Sequence, residues 1–215
     1  MKRVEDFLIE LGVAVEDAEK KLFEIRPNDG KYFKKNGTRG QVMCPLYFSV
    51  VSLLIKDAVS VLEIGVNYGR TANLLSHLFS KATIYEVDLP LEQIKPGVRE
   101  EEFDRNMGKD NIKFIEKNSF FLPSMGLPRE FDLIYVDGGH KYPIVAWDIM
   151  FAYNSIRSGG FVFFDNYDRT EPDVKLAIDH IRGIISEEIK TLPIITPPNH
   201  QIVAWLRKLG GEKIR

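Results

Sequence analysis

The sequence predicts a doubly wound α/β fold built on a seven-stranded, mostly parallel sheet, and three observations carry that expectation. Short β-rich apolar runs alternate with stretches of helical periodicity from residue 59 onward. A glycine-containing turn, Gly65 to Gly69, joins the first of these runs to a helix. Near the end of the chain, two further runs are joined by the short connection TPPNH. That connection is too tight for a parallel crossover, so the last pair is expected to be antiparallel, with the final strand reversed.

Taken in order, the elements begin with apolar residues at helical spacing over Val4–Leu11 and Val15–Phe23, which predict two short amphipathic helices ahead of the main domain. The glycine- and charge-rich stretch Arg26–Gln41 reads as an irregular segment, serving as a linker or as a lid. Pro45 suits the first turn of a helix running to about Asp57, where its missing N–H costs nothing. Buried parallel strands are expected at Val59–Ile64, Thr83–Val87, Ile112–Ile115, Phe131–Val136 and Gly160–Phe164. Crossover helices are expected near Thr71–Phe79, Val98–Met107, Ile144–Ile156 and Val174–Ile185. The antiparallel pair falls at Lys190–Ile194 and Gln201–Leu206. The chain thus divides into an N-terminal helical cap and loop, residues 1–43, and a catalytic α/β domain, residues 44–215.

Composition narrows the function classes. The chain has 215 residues, 44% hydrophobic and 28% charged, with 29 basic against 31 acidic side chains, which is ordinary globular composition. No basic run suggests a nucleic-acid track, and no apolar run approaches the length of a membrane-spanning helix. Acids scattered through the N-terminal stretch disfavour a signal or transit peptide, so a soluble cytoplasmic protein is expected. The single Cys44 excludes an internal disulfide and a multi-cysteine zinc site. The leading helices are compatible with a homodimer contact and equally with an intrachain cap.

The stretch VLEIGVNYGR, residues 61–70, places a strand ending in Glu63, then Gly65 and Gly69, ahead of a helix. Such glycines permit close ligand approach, and a helix N-terminus favours acceptor groups. The spacing departs from the dinucleotide fingerprint GxGxxG, because Asn67 and Arg70 stand where its second and third glycines would be. Asp88 ends the second strand run, where a carboxylate can accept from two vicinal hydroxyls. Asn118 and Ser119 follow the third run. On these residues the chain resembles class I methyltransferases that use S-adenosylmethionine. The resemblance implies a Rossmann-like methyltransferase fold and a glycine loop of Gly65, Asn67, Tyr68 and Gly69 running past the methionine part of the cofactor. It further implies Glu63 as the acid leading into that loop, Asp88 on the ribose hydroxyls, and Asn118 and Ser119 on the adenine side.

A second constellation is FDLIYVDGGH, residues 131–140, followed by GGFVFFDNYD, residues 159–168. It puts Asp137, Asp165 and Asn166 just after two apolar strands, whose carboxyl ends gather at one edge of a doubly wound sheet. Two carboxylates and an amide oxygen form a hard donor set suited to Mg²⁺, Mn²⁺ or Ca²⁺. The triad resembles the divalent-metal site of small-molecule O-methyltransferases acting on catechols. DGGHKY, with Asp148 on the following helix, is similar to a bacterial branch that tailors sugars and antibiotics. Asp137 then borders both metal and cofactor. His140 stands where the catechol-type enzymes carry lysine, so His140 and Asp165 are both candidates for the group that takes the acceptor's proton.

Trp147 and Phe151 share a helical face and read as core. Tyr167, Asp168 and Arg169 occupy a loop fit to line a substrate pocket, and His200 reads as a turn residue. The expected function is methyl transfer from S-adenosylmethionine to oxygen on a small hydroxylated metabolite, assisted by a divalent cation. The expected partner is that small molecule, with neither nucleic acid nor membrane. The alternatives are a metal-independent N- or O-methyltransferase and a repurposed nonenzymatic nucleotide-binding module of the same fold.

Overall fold

The computed structural model describes residues 12–25, 43–90, 93, 100–167, 171–185, 188–193 and 202–207. The expected helix Val4–Leu11, the irregular segment Arg26–Gln41, and the positions of Asp168, Arg169 and His200 lie outside the described residues. The elements in chain order are α1 (Val15–Ile25), α2 (Met43–Leu54), β1 (Ser60–Ile64), α3 (Arg70–Leu78), β2 (Thr83–Asp88), α4 (Glu100–Met107) and β3 (Ile112–Glu116). A 3₁₀ turn (Ser119–Ser124) leads into β4 (Phe131–Val136), α5 (Ile144–Ser155), β5 (Ile156–Phe164), α6 (Pro172–Arg182), β6 (Lys190–Pro193) and β7 (Ile202–Arg207).

The strands form one mixed sheet in the order β3-β2-β1-β4-β5-β7-β6. The first five pair in parallel, and β7 runs antiparallel to both β5 and β6. The short connection before β7 therefore does produce the reversed strand expected of it. Because chain order reverses direction between β1 and β4, the carboxyl ends of those neighbours bound the crevice where such sheets take ligands.

Strand alternation divides the core between two faces. Val61, Leu133, Tyr135, Phe161 and Phe163 point to the side covered by α1, α2 and α3. Leu62, Ile64, Ile134, Val136 and Phe164 point to the side covered by α5 and α6. This period of two is what buried parallel strands demand. Helix α2 is buried through Leu46–Val51, held between the sheet and α1. Ser49 Oγ donates to the Ala18 carbonyl at 2.7 Å, where α1 and α2 meet around Ala18 and Leu22.

The amino-terminal edge of the sheet is structural. Asp132 accepts from the backbone N–H groups of Val59 at 2.8 Å and Ser60 at 3.0 Å and pairs with Arg157, so one carboxylate ties the starts of β1, β4 and β5. The opposite edge is left to the cavity described next. Among the described residues, no helix is long and apolar enough to cross a membrane.

Candidate functional site

The strand ladders carry the candidate residues to the carboxyl edge. Gly65 N–H donates to the Val87 carbonyl, Asp137 N–H to Ile64, and Asp165 N–H to Val136, each extending a ladder by one residue beyond its strand. The acids after β4 and β5 are thereby fixed in register with the glycine loop after β1. A cavity of about 490 Å³ opens there, lined at one end by Asp88, Asn118 and Ser119 and at the other by Asp137 and His140, with Gly65 between. Its size suits a cofactor-sized ligand.

Gly65 and Gly69 have φ of +93° and +70°, and Asn67 also adopts the left-handed region at +51°. At Gly65 an added Cβ would lie 2.2 Å from the Asp137 carbonyl oxygen, so the two loops touch backbone to backbone and only glycine fits. Asp88 fastens the loop from the other side. Its Oδ2 accepts from Val66 N–H at 2.7 Å and Asn67 N–H at 3.0 Å, while Oδ1 accepts from Leu89 N–H at 2.7 Å. Asp88 thus shapes the loop before any ligand arrives, a role beyond the hydroxyl contact expected from sequence. Replacing Asp88 with alanine is expected to weaken S-adenosylhomocysteine binding by about tenfold or more and to speed amide exchange at Val66 and Asn67 in the ligand-free protein. Unchanged exchange would contradict the loop-fastening role.

At the other end, Tyr135 is a residue the sequence reading passed over. Its hydroxyl donates to Asp165 Oδ2 at 2.7 Å and lies 3.3 Å from Asp137 Oδ2, so the buried Asp165 and the half-exposed Asp137 face the same hydroxyl. Burial, and then the charge of Asp137, push the Asp165 carboxyl up to about 6, while the Tyr135 hydrogen bond opposes the rise. Asn166 follows with φ +58°, and its N–H donates to Asp165 Oδ1. Among the described residues, no group of three or more His, Cys, Asp or Glu side chains is arranged to hold a metal ion. The two carboxylates face the Tyr135 hydroxyl as a shared donor, and Asn166 meets Asp165 through its backbone N–H, so the described residues do not assemble the divalent-cation site expected of Asp137, Asp165 and Asn166.

His140 sits on the cavity wall, with Nε2 3.6 Å from Asp137 Oδ1. Hydrogen bonding to Asp137 raises the pKa of the imidazole, against the opposing effect of partial burial. Its Nδ1 lies 3.4 Å from Glu171 Oε1.

Asp165, Glu63 and Tyr68, all expected at the site, do not line this cavity. Glu63 projects to the α2–α3 side of the sheet, in register with Glu86 on β2, and both are fully buried. Burial and the neighbouring Glu86 hold Glu63 well above the usual carboxylate range, and burial pushes Glu86 up to about 8. A carboxyl whose folded pKa is raised favours folding most below its unfolded value, and that contribution is lost as pH rises through the folded pKa. Glu86→Gln is therefore expected to match the unmodified chain near pH 4 and to exceed it by about 2 kcal/mol near pH 9, read from denaturant midpoints. Equal stability at both pH values would refute the buried-acid account. Tyr68 is turned aside as well: its carbonyl accepts from Asn106 Nδ2 at 2.8 Å, and Arg70 lies 5.3 Å over its ring.

The reading of Trp147 as core is corrected. The indole is 37% exposed and stacks on Phe120 of the 3₁₀ turn at 5.3 Å, because that residue of α5 faces the turn and not the sheet. Its neighbour Asp148 is fully buried beneath Gly138, and burial pushes its carboxyl up to about 7. Asn118 caps the 3₁₀ turn, its Oδ1 accepting from Phe120 N–H at 2.9 Å, and with Ser119 it borders the cavity as expected.

The fold and this cavity define a class: a doubly wound α/β protein with a ligand crevice at the glycine loop after β1. Comparison with known proteins agrees. The family model described as a methyltransferase domain matches residues 62–167. An uncharacterized protein, R132 of Acanthamoeba polyphaga mimivirus, is 24% identical over 160 residues, covering 70% of this chain and 72% of that one. Cofactor-bound Rv0187 from MTB superposes with a TM-score of 0.64 at 14% identity, over 90% of each chain. The S-adenosylhomocysteine-bound Podospora anserina methyltransferase PaMTH1 gives 0.60 at 18% identity, over 97% of each chain. The likeness extends to rRNA methylases, an N-methyltransferase and an O-methyltransferase, so it singles out no branch. The chain has the class I S-adenosylmethionine-dependent methyltransferase fold.

Proposed function

We propose that this chain transfers the methyl group of S-adenosylmethionine to an oxygen of a small hydroxylated metabolite. One observation carries the reading: the glycine loop fastened by Asp88 and the turn bearing Asp137 and His140 open on the same cavity. In this reading the backbone at Gly65 takes the methionine end of the cofactor, Asp88 the ribose, and Asn118 and Ser119 the base. Glu63 acts from behind the loop, while Asn67 and Gly69 set its shape and Tyr68 braces it. Asp137 and His140 border the acceptor.

The transfer forms an O–C bond as the C–S bond breaks, and the hydroxyl proton passes to a carboxylate. Asp165 suits that role, with a carboxyl near 6 that is ionised at neutral pH yet still basic. Tyr135 orients it. His140 is the second candidate, though its ring lies between Asp137 and Glu171. A divalent cation would lower the acceptor's hydroxyl pKa only if Asp137, Asp165 and Asn166 turned together to hold it. The Tyr135 hydroxyl favours a second, metal-independent reading, since its one proton, donated to Asp165, already lies beside Asp137.

Methyl transfer from labelled S-adenosylmethionine to a panel of catechols, sugars and other hydroxylated metabolites tests the proposal. Labelled product lost on chelation and restored by Mg²⁺ or Mn²⁺ supports the metal-assisted form, and product indifferent to chelation supports direct base catalysis. Transfer only to amines would overturn the choice of oxygen.

A further inference from the structure

Resting on that reading, the geometry points to Glu171 as a positioning residue: its carboxylate holds the Nδ1 side of His140 so that Nε2 stays turned toward Asp137 at the cavity. Glu171 immediately precedes α6, and its backbone carbonyl accepts from Val174 N–H at 3.1 Å and Lys175 N–H at 3.2 Å, which fixes its main chain. Its Oε1 lies 3.4 Å from His140 Nδ1, while Oε2 lies 3.9 Å from Lys141 Nζ. One carboxylate is thus drawn from both sides toward the DGGHKY turn.

A second tie makes the arrangement more than a chance surface pair. Asp173 Oδ2 accepts from Tyr142 N–H at 3.2 Å, so the start of α6 is joined to this turn at residues 140, 141 and 142. Farther along α6, Asp179 accepts from the Tyr167 hydroxyl at 2.7 Å and pairs with Arg182. These contacts anchor α6 to the segment that carries Asp165 and Asn166. A partly exposed ion pair adds little to stability. Its effect is orientation: an imidazole held by one nitrogen keeps a fixed direction for the other.

The test uses Glu171→Gln and Glu171→Ala in the full chain. Imidazole nitrogen NMR, with His140 assigned by the signal lost in His140→Asn, needs no acceptor. A protonated Nδ1 is expected in the unmodified chain and in Glu171→Gln, whose side-chain carbonyl still accepts. In Glu171→Ala, the signals should move to those of a ring exchanging between tautomers. An unprotonated Nδ1 in the unmodified chain, or no change in Glu171→Ala, overturns the proposal. S-Adenosylhomocysteine affinity should stay within about threefold in both variants, and a large parallel loss would mark a structural role instead. With an acceptor that gives product in the panel above, Glu171→Ala should lower kcat by about tenfold at unchanged KM, and Glu171→Gln should restore it. Equal loss in both variants would contradict positioning. Absence of methyl transfer by the unmodified chain would count against the functional reading alone.

Discussion

Gly65→Ala is expected to abolish measurable cofactor binding, and it is the most damaging single-methyl change available at this site. The added Cβ would lie 2.2 Å from the Asp137 carbonyl oxygen and 2.6 Å from Gly138 Cα, both backbone atoms that no rotamer change can move away. The residue also sits at φ +93°, where an L side chain is strained by about 1–3 kcal/mol. The loops after β1 and β4 must separate, which displaces both ends of the cavity together. Affinity for S-adenosylhomocysteine should fall by about 100-fold or more, with a stability loss of about 2–4 kcal/mol. Gly126→Ala is the control: its φ is +69°, yet its Cβ would meet nothing within 4 Å, so strain alone acts and binding should hold. Equal behaviour of the two variants would show that the close approach at Gly65 is unimportant.

Asp165→Asn is expected to leave cofactor affinity within about threefold while lowering turnover by about 100-fold or more. Asp165 lies behind the cavity wall, 8% exposed, reaching the acceptor end through Tyr135 and Asp137. Asparagine keeps the shape and removes the basic oxygen. Tyr135→Phe gives the companion result. The tyrosine hydrogen bond lowers the Asp165 pKa, so its loss should raise the carboxyl further above about 6 and move the acidic limb of the rate profile to higher pH. A limb moved to lower pH, or left in place, would mean that another group takes the proton.

How much of this was legible in the sequence differs by kind of interaction. The strands were readable because a two-sided parallel sheet demands short apolar runs, and β4 falls where the run Phe131–Val136 stands. Gly65, Asp88, Asp137 and Asp165 were readable because each ends or follows an apolar run, and the ladders extend one residue past the strand into Gly65, Asp137 and Asp165. The burial of Glu86 follows from its place in the alternation, but the roles of Tyr135 and Glu86 were not readable, since alternation assigns each only a face. Their chemistry depends on the neighbouring strand, through Asp165 for one and Glu63 for the other. Glu171 was illegible for a similar reason: 31 residues separate it from His140, and only the packing of α6 brings them together. Trp147 was misassigned because its helical periodicity matches the core face, whereas the 3₁₀ turn offers it Phe120.

Calorimetric titration of the metal-stripped chain with S-adenosylmethionine, with S-adenosylhomocysteine and ATP as comparisons, bears most directly on the central claim. Saturable one-to-one binding of both sulfur compounds, weakened by Asp88→Ala and absent in Gly65→Ala, is the result expected. Tight ATP binding without either sulfur compound would contradict it and leave the glycine loop as a nucleotide turn on a repurposed fold.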